Sequence, residues 1–135
     1  LKNYEGIVVI DEAYIDFSAY PSFLKELSGF PNLIVLQTLS KAWGAAGIRL
    51  GMAFASPEII GVLNKIKYPY NVNQLTQEKA LELLSDEATM KHQVNEILTE
   101  RNRLEKILSE PPFSYQVYPS DANFLLVNVP KADAM

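Results

Sequence analysis

The sequence predicts an α/β fold, and two observations carry this prediction. Short apolar runs rich in valine and isoleucine alternate with segments of helical periodicity, and polar residues stand where the apolar runs end. Apolar residues make up 48% of the chain and charged residues 21%, which is the balance of an ordinary globular domain. A hydrophobic core can therefore form, and the disordered and fibrous classes are excluded.

The first half of the chain has the order strand, helix, strand, strand. Gly6–Ile10 is an unbroken apolar run, typical of a strand buried in a parallel sheet. Residues 21–27 have the pattern of a short helix, and residues 32–37 form a second apolar run. This order favours a right-handed βαβ crossover. Because only the connection 38–49 precedes the next run at 50–55, we expect that run to return antiparallel.

The second half is predicted to be mostly helical. Residues 56–58 (Ser-Pro-Glu) combine an N-cap, a proline at the first helical position and an acid in the first turn. A loop is expected at 68–73, before helical spacing resumes at Gln74. Asp86 is the predicted N-cap of a long helix that runs to about Ser109.

Two strand-like runs, at residues 115–118 and 123–129, follow the long helix. The resulting αββ pattern differs from that of the first half, so we predict a domain boundary between residues 85 and 86. The chain begins with leucine and stops just after a strand-like run, and we therefore expect it to be an internal piece of a longer protein.

Composition excludes several classes of function. The net charge of −4 and the lack of a basic cluster argue against nucleic-acid binding. With no cysteine and a single histidine, a thiolate or imidazole-rich metal site is not expected. The apolar runs are too short to span a membrane and no signal peptide is recognisable, so a cytoplasmic protein that does not bind membranes is expected.

Polar residues at the strand ends form the candidate site. Asp11 and Thr38 each follow an apolar strand, and the carboxyl ends of parallel strands line the ligand crevice of open α/β sheets. If the strand that follows Arg49 runs antiparallel, its first residue lies at the same edge. Tyr14 and Lys41 stand three residues beyond Asp11 and Thr38, respectively. One acid, one amine, one guanidinium and two hydroxyls are thus predicted to converge.

This set of side chains suits pyridoxal 5′-phosphate (PLP). The cofactor needs a lysine for its Schiff base, an acid against its pyridine nitrogen and donors for its phosphate. Arg49 can grip a phosphate with two parallel hydrogen bonds, which a lysine cannot do. Thr38 can add a hydroxyl, and the phenol of Tyr14 can tune the imine from beside the ring oxygen.

Three segments then resemble a known family. Residues 9–14 (VIDEAY), 38–42 (TLSKA) and 47–51 (GIRLG) are similar to the motifs of the fold-type I, PLP-dependent class I/II aminotransferases, most of all to those of the histidinol-phosphate aminotransferases. The family pattern is Asp-x-x-Tyr, Ser/Thr-x-x-Lys and an arginine eight residues after the lysine, and each spacing holds here. The resemblance runs from these motifs to the segment 121–124, over nearly the whole chain.

The resemblance implies a fold and a domain organisation. The fold would be the three-layer α/β architecture of PLP-dependent transferases. Residues 1–85 would be the C-terminal part of the large PLP-binding domain. Residues 86–135 would be a linking helix and the beginning of a small α+β domain.

The resemblance also implies roles for individual residues. Lys41 would be the catalytic residue, which forms the Schiff base with PLP and moves a proton between substrate and cofactor. Asp11 would pair with the pyridine nitrogen and Tyr14 with the ring hydroxyl. The phosphate would be bound by Thr38, Ser40 and Arg49.

The parent protein would then exchange amino groups between histidinol phosphate and 2-oxoglutarate, in histidine biosynthesis, as a homodimer with small-molecule substrates. The residues with which the family binds its substrates lie mostly outside residues 1–135, so the isolated chain is expected to be inactive.

Three alternatives stay open at this stage. Another class I/II PLP enzyme, such as an aromatic aminotransferase or a phosphothreonine decarboxylase, would share these motifs. A non-catalytic PLP-fold domain of a transcription regulator would keep the same lysine. Asp11-Glu12 after a strand also resembles the Mg²⁺-binding strand end of P-loop ATPases, although no Gly-rich phosphate loop is present here and such enzymes have no need of the Lys41–Arg49 spacing.

Other polar and aromatic residues are expected to be structural. Trp43 is predicted to pack beneath the loop that carries Lys41. The charged residues Glu100, Arg101, Arg103 and Glu105 are predicted to form a solvated helix face.

Overall fold

A computed structural model describes residues 3–130 of the chain. Its main sheet has three strands in the order β1 (Val8–Asp11), β2 (Leu33–Thr38) and β3 (Gly51–Ala55). β1 runs parallel to β2, and β3 runs antiparallel to β2. The predicted parallel pair and the predicted antiparallel return are both confirmed.

The connection between β1 and β2 is a pair of 3₁₀ helices, at Ile15–Phe17 and Phe23–Gly29. The second replaces the helix predicted at 21–27. Ser22 is its N-cap, because its hydroxyl oxygen accepts the N–H of Leu24 and so satisfies a donor that the first turn leaves free. The predicted helix therefore starts later than Pro21, and it has 3₁₀ geometry.

One face of β1 is open, contrary to the prediction of a fully buried strand. Val9 is 53% exposed, and Ile7, just before the strand, is 60% exposed. β1 is an edge strand whose only described neighbour is β2, and no described element shields the face that carries Val9. On β2, by contrast, Leu33 and Val35 are fully buried. An apolar run predicts a strand, but whether both of its faces are covered depends on residues far along a chain.

The helices begin where the sequence predicts. α1 spans Pro57–Ile66, α2 spans Gln74–Leu84 and α3 spans Glu87–Ser109. Their N-caps are Ser56, Asn73 and Asp86, whose side chains accept the N–H of Ile59, Thr76 and Thr89. The predictions for the Ser-Pro-Glu start, the Gln74 start and the long helix are confirmed.

A second, two-stranded antiparallel sheet follows α3, with β4 at Gln116–Tyr118 and β5 at Leu126–Asn128. The strand predicted over 123–129 is shorter than expected. Its first residues lie in a turn, in which the Ser120 hydroxyl donates to the Phe124 carbonyl at 2.5 Å and accepts the Ala122 N–H at 3.1 Å. Nothing in the structure tests the domain boundary between residues 85 and 86, and it stays a prediction.

The core lies beneath the connection between β2 and β3. One buried cluster joins Ala42 of this connection to Phe17 and to Met90 and Val94 of α3. A second cluster joins Leu39 and Ala45 to Ala80 of α2. Within residues 3–130, no helix has the length and apolarity needed to cross a membrane.

Candidate active site

The ends of β1 and β2 lie together at one edge of the main sheet. Asp11, the last residue of β1, pairs with Leu36. Thr38, the last residue of β2, pairs with Gly51, the first residue of β3. Thr38 therefore stands two positions beyond the partner of Asp11 on the adjacent strand. The predicted common edge is confirmed.

A tight turn carries the chain from Asp11 to Tyr14. The Ala13 N–H donates to Asp11 Oδ1 at 2.9 Å, which fixes the aspartate side chain against its own turn. Asp11 and Tyr14 both line a cavity of about 250 Å³, which Ser18 and Asp121 also border. The turn thus brings Asp11 and Tyr14 to the border of the same cavity.

Tyr14 connects the turn to the predicted catalytic lysine. Lys41 Nζ lies 5.0 Å from the centroid of the Tyr14 ring, within the range of a cation–π interaction. The Phe124 ring also contacts the Tyr14 ring in a T-shaped arrangement, at a centroid distance of 5.5 Å and an interplanar angle of 85°. Residues that are far apart in the sequence are therefore neighbours at this ring.

The connection that carries Lys41 is anchored by buried residues. Leu39, Ala42 and Ala45 are buried in the two core clusters, and Trp43 packs against both of them. Lys41 itself is exposed. A reactive amine on a connection held by packing keeps its position without losing access to solvent and ligands. The prediction that Trp43 packs under this connection is confirmed.

Hydroxyl groups gather at the start of the same connection. The Thr38 hydroxyl lies 3.0 Å from the Ser40 hydroxyl and 3.2 Å from the Leu50 carbonyl, and it accepts the Ser40 N–H at 3.1 Å. These bonds fix Thr38 and Ser40 beside each other. Each hydroxyl has one proton that it can donate to an anionic oxygen, Thr38 by turning that proton away from Ser40 or the Leu50 carbonyl.

Arg49 has a strained backbone at the end of the connection. Its φ of 55° lies in the left-handed region, which residues other than glycine seldom adopt. Its guanidinium donates to the Ala46 carbonyl at 2.9 Å and, among the described residues, makes no hydrogen bond to Thr38 or Ser40. The structure thus places Arg49 just before β3, while its side chain is turned back toward the 3₁₀ helix Ala46–Ile48 that precedes it.

Two residues have structural roles that the sequence analysis missed. Glu12 is 6% exposed and is the one buried charged side chain among residues 3–130. Arg101, predicted on a solvated face, is half-buried and donates from its guanidinium to the Ala122 carbonyl at 2.6 Å. The solvated face is confirmed for Glu100 and Arg103, which pair on the exposed surface of α3. The prediction for Arg101 is wrong because helical spacing does not reveal the turn at 120–124 that packs beside it.

Comparison with known families decides the assignment. The family model described as aminotransferase class I and II matches residues 1–135, the whole chain. The chain belongs to the class I and II aminotransferases. The α/β architecture described above agrees with membership of this family.

Individual aminotransferases are similar over the same length. The chain is 98% identical over 135 residues to a histidinol-phosphate aminotransferase of Parabacteroides distasonis, and 58% identical over 132 residues to that of Bacteroides fragilis. It covers 39% and 38% of those proteins, respectively, so it spans about two fifths of their length.

Among solved structures, the histidinol-phosphate aminotransferase of Sinorhizobium meliloti in complex with pyridoxal-5′-phosphate has a TM-score of 0.81 and 29% identity. The likeness covers 93% of this chain and 34% of that one.

Proposed function

We propose that this chain is the cofactor-binding segment of a PLP-dependent aminotransferase that acts on histidinol phosphate. The observation that carries the proposal is the 98% identity to a histidinol-phosphate aminotransferase over all 135 residues. The reaction would exchange an amino group between histidinol phosphate and 2-oxoglutarate, giving imidazole acetol phosphate and glutamate. The whole protein would act in the cytoplasm as a homodimer.

The side chains at the sheet edge fit PLP in their chemistry. Asp11 and Tyr14 border one cavity, the amine of Lys41 lies over the Tyr14 ring, and two hydroxyls stand together at the end of the neighbouring strand. An acid, a lysine and phosphate donors are the groups that this cofactor requires. Arg49 would complete the set by rotating its guanidinium from the Ala46 carbonyl to the phosphate, where two parallel bonds are available.

Each residue would have a distinct task. When bound, PLP supplies an electron sink that makes the α-proton of an amino acid removable. Asp11 would hold a proton on the pyridine nitrogen, and the Tyr14 hydroxyl would donate to the ring oxygen. Thr38, Ser40 and Arg49 would bind the phosphate and orient the ring. Lys41 would hold the cofactor through Nζ and, when that amine is free, move a proton across the substrate.

Packing around Tyr14 supports the task of Lys41. A general base must lie at a fixed distance from the proton that it removes. The Tyr14 ring restricts the ammonium of Lys41 on one side, and the buried Ala42 fixes the backbone next to it. These two contacts restrict the positions that the amine of Lys41 can take.

The domain organisation supports the same function. We propose that residues 1–85 complete the large PLP-binding domain and that residues 86–135 begin the small domain. Phe124, on the small-domain side of this boundary, touches Tyr14 on the other side. The cofactor site would thus lie where the two domains meet, which is a common position for a ligand site.

Borohydride reduction of the whole protein in the presence of PLP tests the cofactor proposal. Reduction makes the lysine–cofactor bond permanent, and peptide mass mapping should find a pyridoxyl group on the peptide that contains Lys41. An unlabelled Lys41, under conditions that label a known PLP enzyme, contradicts the proposed role of Lys41.

The substrate is tested separately. Histidinol phosphate should be converted with the higher kcat/KM when it is compared with phenylalanine and phosphothreonine at equal concentrations. A preference for phenylalanine would point to an aromatic aminotransferase, and release of CO₂ from phosphothreonine would point to a decarboxylase. Labelling of Lys41 without turnover of any amino acid would favour the regulator domain.

A further inference from the structure

The buried carboxylate of Glu12 lies directly behind the candidate cofactor site. Its Oε2 accepts the Ser22 hydroxyl at 2.6 Å and the Gln37 amide at 3.0 Å, and its Oε1 accepts the Phe23 N–H at 2.7 Å. All of these donors are neutral. A buried carboxylate is costly unless hydrogen bonds satisfy it, and here both of its oxygens are occupied.

These bonds join the ends of two strands. The backbone N–H of Glu12 donates to the Leu36 carbonyl at 2.8 Å, which continues the pairing of β1 and β2 by one residue. Side chains alternate between the two faces of a sheet. Glu12 and Gln37 therefore share the covered face, while Asp11 and Thr38 share the opposite face.

The positions of these residues relate the pair to the cofactor. Glu12 is bonded through the main chain to Asp11, and Gln37 to Thr38. In the proposed function, Asp11 meets the pyridine nitrogen and Thr38 meets the phosphate, at opposite ends of the same molecule. The separation of these two groups must match the length of PLP. The Glu12–Gln37 hydrogen bond ties the two strand ends from behind.

We propose that Glu12 is a positioning residue that, with Gln37, holds Asp11 and Thr38 at the separation that PLP requires. The inference rests on the proposed function. Glu12 does not touch the cofactor; it acts through the backbone of its neighbour. A hydrocarbon side chain of similar size could fill the space, but it could not bond Gln37, Ser22 and the Phe23 N–H at once.

The test uses the whole protein with two variants at the pair and one control. Glu12→Gln removes the charge of the side chain. Gln37→Leu removes the hydrogen bond between Glu12 and β2, while Glu12 keeps its hydrogen bonds with Ser22 and Phe23. Asp86→Ala is the control, because it removes the N-cap of α3 and so destabilises the fold without removing any hydrogen bond of Glu12 or Gln37. Two properties are measured for each variant: the Kd for PLP, from absorbance titration of the apo-protein, and the midpoint pH of the visible band of the PLP complex.

We expect both pair variants to raise the Kd for PLP at least about tenfold, equivalent to about 1.4 kcal/mol. The pH at which the visible absorbance band of the PLP complex is half-changed should also rise. The reason is that a displaced Asp11 holds the proton on the pyridine nitrogen of PLP less firmly. Asp86→Ala should lower the unfolding temperature and leave both properties unchanged. If Glu12→Gln does not fold, the result for Gln37→Leu tests the proposal on its own.

Two results would overturn the inference. If a folded pair variant loses thermal stability but binds PLP within about twofold of the unaltered protein, the role of Glu12 is structural only, and the proposed function stands. If the unaltered protein itself binds no PLP, the proposed function fails and this inference fails with it. The titration of the unaltered protein therefore distinguishes the two failures.

Discussion

Lys41 combines an exposed amine with a backbone held by buried neighbours, and its Nζ lies 5.0 Å from the centroid of the Tyr14 ring. Lys41→Arg keeps the positive charge and the contact with the ring but removes the primary amine. In the whole protein, transamination should therefore fall by about 10²-fold to 10⁴-fold or more. Borohydride labelling should be lost. Lys79→Arg, on the exposed surface of α2, is the matched control and should retain both properties. Full activity of Lys41→Arg would contradict the assignment.

Arg49 allows backbone strain to be separated from ligand binding. Arg49→Gly relaxes the φ of 55° and removes the guanidinium, whereas Arg49→Lys keeps the strain and a point charge. We expect both variants to bind PLP at least about tenfold more weakly, because the paired bonds to the phosphate are lost. Only Arg49→Gly should also raise the free energy of unfolding of the apo-protein, by up to about 1 kcal/mol. Unchanged affinity in Arg49→Gly would show that Arg49 does not bind the phosphate.

At the residue scale, the sequence predicts the positions of the motif residues better than it predicts the residues that hold them in place. Asp11, Tyr14, Lys41 and Arg49 stand at spacings that a strand end and a following loop impose, so their approximate positions follow from the chain itself. The burial of Glu12 could not be predicted, since it depends on Ser22 and Gln37, whose approach requires the folded crossover. A carboxylate next to a motif aspartate is the only signal, and it does not distinguish a ligand from a support.

At the scale of the elements, Asp86 provides a test of the long helix. Hydrogen bonds from Thr89 lower the pKa of Asp86 below its usual value of 3.8. A carboxyl whose folded pKa is depressed contributes stability above the unfolded pKa and loses it as the pH falls through the folded pKa. Asp86→Ala should therefore be less stable than the unaltered protein at pH 7, and this difference should shrink below pH 3.8. Asp86→Asn, which can still cap the helix, should be stable with less dependence on pH.

Urea denaturation of the whole protein, followed by circular dichroism at neutral and acid pH, measures this difference. A deficit in Asp86→Ala that is the same at both pH values would mean that the charge of the cap contributes nothing.

Helix starts were predictable because a cap is a local feature: Ser56 and Asp86 each bond an N–H three residues ahead. The strand at 123–129 and the helix at 21–27 were predicted less well. In both segments a serine side chain, Ser120 or Ser22, bonds the backbone and changes the local geometry. An apolar pattern predicts which side chains an element can bury, whereas these competing hydrogen bonds determine where the element begins.

At the scale of the whole molecule, the exposed apolar surface indicates how the isolated chain should behave. Ile7 and Val9 are more than half exposed beside the edge of β1 that has no described partner strand, and Ile66 and Tyr70 are 73% and 96% exposed. An apolar strand edge without a cover is a template for association. The cavity that Asp11 borders is also lined by Glu12 and Asp121 and by no described lysine or arginine, so it offers no cation to the carboxylate of a substrate.

The isolated 135-residue chain should therefore associate in size-exclusion chromatography at micromolar concentration and show no steady-state transamination. Val9→Lys places a charge on the open face of β1 and should shift the chain toward the monomer, since the lysine must stay solvated. Val9→Lys should not create activity, because association of the chain and the incomplete active site are independent causes of inactivity. Turnover of histidinol phosphate by the isolated chain would show that residues 1–135 contain a complete active site and would contradict this account of the molecule.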